Sequence, residues 1–125
     1  MSDERRREGF GRGMHLRKRP EFLSVQEKGR RQAGRCYVVY VLARATEPSP
    51  RKLPRFGVTV SKKVGPSVTR NRVKRWVRES CRRLAPTLST ANDYVVIARA
   101  AAATLGYQQT AREISGLLER ARRLP

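Results

Sequence analysis

Phe56-Gly57-Val58-Thr59-Val60-Ser61-Lys62-Lys63-Val64-Gly65-Pro66-Ser67-Val68-Thr69-Arg70-Asn71-Arg72-Val73-Lys74-Arg75-Trp76-Val77-Arg78-Glu79 is the stretch on which the fold turns. Its first part alternates, with Phe56, Val58 and Val60 on one face and Gly57, Thr59 and Ser61 on the other. That two-residue period predicts a half-buried strand over Arg55–Ser61. Lys62 to Thr69, with Gly65 and Pro66, is a connection. From about Val68 to Leu84 the period becomes helical, ending before Pro86. At about 100° per residue, Val73, Trp76, Val77, Ser80, Cys81 and Leu84 share one broad side. Asn71, Lys74, Arg75, Arg78 and Arg82 share the other, and Arg72 and Arg83 extend that arc.

Working outward, Pro20 suits a first helical turn, and Phe22, Leu23 and Val25 predict a short helix over Pro20–Lys28, ending near Gly29. Gly29–Arg35 reads as a turn or a short edge strand. Tyr37–Leu42 is β-branched and aromatic, a strand. Pro48, Pro50 and Pro54 make Ala45–Pro54 a loop, so Tyr37–Leu42 and Arg55–Ser61 are expected to pair as a hairpin. Asp93–Arg99 is a further strand and Ala100–Thr104 a small, helix-tolerant segment. Ala111, Ile114, Leu117, Leu118 and Ala121 give a helix over Tyr107–Arg123 one apolar stripe. The order predicts an α+β sandwich, helices against one sheet, as a single domain over residues 14–125. Met1–Gly13, polar and Arg-rich, reads as a disordered basic tail.

The chain carries 29 Lys+Arg against 10 Asp+Glu, a net charge of +19, which calls for a polyanionic partner. No apolar run approaches the ~18 residues of a membrane span, and no apolar core follows the basic start as in a secretion signal. A cytoplasmic protein is expected, with no membrane and no obligate protein partner. Cys36 and Cys81, far apart, have no second pair for a zinc motif and read as small buried residues. His15 is the single histidine, the acids are scattered, and Asp93 suits a strand entry. No nucleophile–base or paired-carboxylate arrangement is visible, which argues against catalysis by protein side chains and assigns no metal ligands.

Lys62–Arg83 holds nine basic residues and one acid, Glu79. A merely solvated charged face would carry more acids for i, i+4 pairing. Arg outnumbers Lys 23 to 6 across the chain, and the guanidinium fork suits bidentate phosphate contact. Asn71 adds an amide able to donate and accept, and the Gly65-Pro66 turn opens the helix at its positive end. No motif for reading a DNA major groove is present. Phe22 and Tyr40 are candidates either for stacking on unpaired bases or for core packing.

Phe56–Gly65 followed by Arg70–Glu79 resembles the signature of the bacterial ribonuclease P protein subunit. The resemblance extends over the Glu21-Phe22 helix, Gly29, Tyr37–Leu42 and Asp93–Arg99, most of the chain from about Leu16 onward. It implies an αβββαβα two-layer sandwich with a left-handed βαβ crossover through the Arg70-Asn71-Arg72 helix. It also implies a partner, the catalytic RNA subunit, which with bound Mg²⁺ removes the 5′ leader of precursor tRNA. In that family the positions of Arg70, Asn71, Arg72, Lys74, Arg75 and Arg78 face the catalytic RNA and nearby substrate backbone. Ser61, Lys62 and Lys63 match the turn beside the leader. Phe22, Tyr40 and Arg99 match the leader cleft between first helix and sheet. Gln26 stands where the family often has a second aromatic, one helical turn after Phe22. Tyr37 and Trp76 are expected in the core or at its edge. The alternative in another class is a ribosomal or other structural RNA-binding protein, indifferent to a tRNA leader.

Overall fold

The computed structural model describes residues 16, 19–43, 54–88 and 92–123. Helix α1 (Arg19–Lys28) leads into strands β1 (Arg30–Ala33), β2 (Tyr37–Ala43) and β3 (Arg55–Val60). A 3₁₀ turn (Lys62–Val64) opens helix α2 (Ser67–Leu84), a second (Ala85–Thr87) follows it, and then comes strand β4 (Asn92–Ala98). A third (Ala100–Thr104) leads into helix α3 (Tyr107–Arg123). The tail 1–13 and most of the loop 45–54 lie outside the described residues.

One expectation is overturned: β2 and β3 form no hairpin. The sheet order is β1-β2-β4-β3, and β4 stands between them. It pairs antiparallel with β2 (Val39 opposite Val96) and parallel with β3 (Val58 opposite Val96). The reason lies in the side chains. β2 and β4 are apolar on both faces, the pattern of a strand covered on both sides. β1 and β3 carry polar or small residues on alternate positions and take the edges. α2 is thus the crossover of the parallel β3–β4 pair, and of the turn or edge strand that Gly29–Arg35 allowed, the chain forms the edge strand β1.

Register divides the sheet into two faces. Tyr37, Val39, Val41, Phe56, Val58, Val60, Tyr94, Val96 and Ala98 point one way, where α2 and α3 pack. Buried Val73, Val77 and Cys81 from α2 meet Ile114, Leu117 and Ala121 from α3 over this face, with Phe56 stacked on Tyr94 at 5.2 Å. Glu113 of α3 accepts the backbone N–H groups of Cys36 (2.7 Å) and Tyr37 (2.8 Å), holding the β1–β2 turn. Tyr37, fully buried, shares a 2.8 Å hydroxyl bond with Thr110, and burial pushes its phenol up to about 12. Cys36 and Cys81 are both buried free thiols, and burial raises each.

The opposite face carries Arg55, Gly57, Thr59, Val38, Tyr40, Leu42, Asp93, Val95 and Ile97. Here α1 lies, through Val25 and Phe22, beside Leu16. The backbone N–H of Leu16 donates to Phe56 O (2.9 Å) at the outer edge of β3. No described helix is long and apolar enough to cross a membrane.

Candidate nucleic-acid interface

α2 has Pro66 as its N-cap, with no side-chain cap bond. Gly65 before it adopts φ 150°, a value side chains rarely allow, and so permits the turn from Lys62–Val64 into the helix. Val64 is buried and anchors that turn, so Ser61, Lys62 and Lys63 are left exposed. Buried Val73, Val77, Ser80 and Cys81 seat α2 on the sheet. Asn71, Arg75 and Arg78 are consequently exposed, and Lys74 and Arg72 half-buried on the flanks. The amphipathic division expected from the sequence is therefore present.

Three arginines depart from a simple outward ladder. Arg70 falls angularly on the apolar side of α2, and its guanidinium turns back on the preceding turn. Nε donates to Gly65 O (3.0 Å) and Nη2 to Ser67 Oγ (3.2 Å). Arg82 and Arg83 both bind the Glu79 carboxylate, Arg83 at 2.8 Å. These bonds, that from Arg82 first, hold Glu79 down to about 2. Arg72 instead lies over the ring of Trp76, which is half-buried at the core edge. The outward cations of the helix are thus Arg72, Lys74, Arg75 and Arg78, with Asn71 among them.

The second surface lies across the sheet. Phe22 is half-buried and packs over Gly57, where an added Cβ would stand 2.5 Å from the ring. Tyr40, also half-buried, belongs to the same cluster, and Arg31 Nε donates to its hydroxyl at 3.3 Å. Glu21 and Phe22 meet β3 at Arg55 and Gly57, whereas Gly29 at the far end of α1 abuts Val41 O of β2. By register these contacts lie at the level of Asp93–Val95. α1 thus crosses one half of the face. Thr59 and Arg99 beyond it are exposed and Ile97 half-buried. Gln26, one turn after Phe22, is half-buried.

The two surfaces meet at one end of the sheet. β3 and β4 end side by side, Val60 opposite Ala98. The turn carrying Lys62 and Lys63 therefore contacts the turn that follows Arg99. Arg99 itself is held by its backbone N–H to Cys36 O (2.8 Å).

The sequence did not single out Arg55, a half-buried side chain bound to Asp93 and Glu21. Its signal was an arginine and an aspartate at matching positions of two strands, legible only once their parallel pairing is known. Among the described residues no three His, Cys, Asp or Glu side chains gather as a metal centre.

Comparison with known proteins bears on the same residues. The family model for ribonuclease P matches residues 10–122. The ribonuclease P protein component of Bacillus cereus (strain 03BB102) is 36% identical over 105 residues, 84% of this chain and 88% of that one. The solved RNase P protein of Staphylococcus aureus superposes with a TM-score of 0.74 at 30% identity, covering 86% of this chain and 94% of its own. That of Thermotoga maritima gives 0.72 at 28% identity, covering 85% and 96%. With the family signature present and the fold superposing on the solved Staphylococcus aureus protein, the chain belongs to the ribonuclease P protein component family.

Proposed function

We propose that the protein binds the catalytic RNA subunit of ribonuclease P and the 5′ leader of precursor tRNA, and so supports removal of that leader in the cytoplasm. The observation that carries this is the placement of two unlike surfaces on opposite faces of one sheet, joined at the shared end of β3 and β4. Arg72, Lys74, Arg75 and Arg78 suit a structured RNA backbone, since a guanidinium or ammonium group neutralises a phosphate and releases its condensed counterions. Asn71 adds a hydrogen-bonding amide to that face. The cleft beside α1 suits a single strand: Phe22 and Tyr40 offer ring faces to unpaired bases, Arg99 meets phosphate, and stacking tolerates many sequences. Ser61, Lys62 and Lys63 stand where the strand would pass from one surface to the other.

The protein's part is electrostatic and positional. Two polyanions approach one another more readily across a cationic body, which lowers the Mg²⁺ needed to hold them together. Arg70 supports the turn rather than the contact. Glu21, Glu79 and Asp93 are each engaged by arginine, which favours chemistry and metal binding on the RNA. Reconstitution tests the proposal: precursor-tRNA cleavage by RNA alone, protein alone and both, across Mg²⁺ concentration. Cleavage is expected from the pair at Mg²⁺ levels where RNA alone is slow, and none from protein alone. Efficient cleavage by RNA-free protein would overturn it, and so would an effect of the protein indifferent to the leader.

A further inference from the structure

Arg55 opens β3 directly opposite Asp93 in the parallel ladder, and both side chains lie on the α1 face. Nε donates to Asp93 Oδ1 (3.0 Å) and Nη2 to Oδ2 (2.9 Å), a bidentate pair that fixes the guanidinium plane. The remaining Nη1 donates to Glu21 Oε2 in the first turn of α1 (3.2 Å). Side-chain exposure falls inward along this chain of contacts: 31% for Glu21, 18% for Arg55 and 7% for Asp93. Glu21 immediately precedes Phe22, and Phe22 packs on Gly57, two residues along β3 from Arg55. A single rigid unit therefore joins the sheet to the side chain that walls the cleft.

α1 also rests on the sheet through an apolar cluster in which Val25 and Leu16 are buried. Apolar contact is non-directional and tolerates a helix rolling or tilting on the sheet. A bidentate guanidinium is directional. We propose that Arg55, held by Asp93, is a positioning residue that fixes the pitch of α1 through Glu21 and so sets the gap between Phe22 and Tyr40 open to a leader strand. This rests on the leader-binding reading of the cleft, and goes beyond it by naming what holds the cleft at its working width.

The test uses the holoenzyme assembled from the RNA subunit and full-length protein. Affinities are measured for a precursor tRNA bearing a leader and for the same tRNA without one, at fixed Mg²⁺ and salt. Glu21→Gln keeps the internal Arg55–Asp93 pair. It is expected to lower the leader-dependent preference about fivefold, the scale of a partly exposed ion pair. Arg55→Met is expected to do the same, and the double variant to lose no more than the worse single, as coupled residues do. Affinity for the RNA subunit and its salt slope should stay at wild-type values in Glu21→Gln. Far-ultraviolet circular dichroism checks that Arg55→Met folds; if it does not, Glu21→Gln alone decides. A wild-type preference retained by Glu21→Gln overturns the tether while leaving the leader reading intact, as does a double variant whose losses simply add. A wild-type holoenzyme with no leader preference overturns both.

Discussion

The guanidinium carbon of Arg72 lies 5.4 Å from the centroid of the Trp76 ring, one helical turn further along α2. The ring is braced at the core edge, so it works as a platform holding the cation outward, with Arg72 Nε buried and lacking a hydrogen-bond partner. Trp76→Leu keeps apolar contact with the core but removes the π face. It is expected to weaken binding to the RNA subunit about three- to fivefold, the scale of an exposed cation–π contact. Titration of labelled RNA subunit measures this, and unchanged affinity in a folded variant would remove the platform role.

Salt dependence separates the outward cations from the inward ones. Arg72→Ala and Arg75→Ala are each expected to reduce the slope of log affinity against log salt by about one, as for one lost phosphate contact. Arg70→Ala should leave the slope nearly unchanged and lower thermal stability instead, because its bonds go to Gly65 O and Ser67 Oγ. Slopes unchanged from wild type in Arg72→Ala and Arg75→Ala would show that neither residue meets phosphate.

Glu79 holds Arg82 and Arg83 out of that count. Glu79→Gln is expected to raise RNA affinity and steepen the salt slope by releasing the exposed Arg83 from that carboxylate. The cost in stability at pH 7 is small, below about 1 kcal/mol, because the carboxylate is 34% exposed and screened. The sign with pH follows from its lowered value. In the unfolded chain Glu79 titrates near 4.5, and in the folded protein at about 2. The stabilisation is therefore complete above about 4.5 and fades as pH falls toward 2. Acid unfolding of Glu79→Gln should lack that component; identical acid sensitivity would contradict it.

Gly57 is where Phe22 comes closest to β3. A methyl group there stands 2.5 Å from Cε2 of the ring, so Gly57→Ala must displace Phe22. The expected result is a several-fold loss of preference for leader-bearing tRNA with the α2 salt slope intact. Competition between tRNA with and without a leader reads it directly.

Gln26 follows Phe22 by one helical turn and is half-buried beside the same cleft. Gln26→Phe adds a second ring face to the leader surface. It should strengthen leader binding by at least about fivefold, the lower end of what one stacked base contributes. The check is affinity against leader length, where the gain should vanish once the leader is removed.

Much of this was legible in the chain. The period change between Val60 and Val68 located both β3 and α2, and Val73–Val77–Cys81 told the inner side of the helix from the outer. The β2–β4–β3 order was not legible as a local pattern, since strand partners depend on which runs are apolar on both faces. Tyr37–Leu42 and Tyr94–Ala98 carry that property, and weighing it would have placed them together at the centre. Among the site residues, angular position identified Asn71, Lys74, Arg75 and Arg78 as outward. Arg82 and Arg83 looked equivalent to them, because a helical wheel shows where a side chain starts and not which carboxylate it reaches. Arg55 was missed altogether, since its meaning depends on Asp93, which lies 38 residues away.

The central place of β4 also governs when the sheet can come into being. On emergence from the ribosome, β2 and β3 have each been made before the strand that both must pair with, and until Asn92–Ala98 appears only the β1–β2 hairpin can close. An isolated hairpin is marginal in water, and α2, already synthesised, has no completed floor to lie on. Assembly of the body is thus a late, concerted event that leans on distant pairings, which slows this chain relative to a helical bundle of its size. Until then its arginines are displayed on an open polymer, already able to meet RNA before the surfaces that discriminate among RNAs exist.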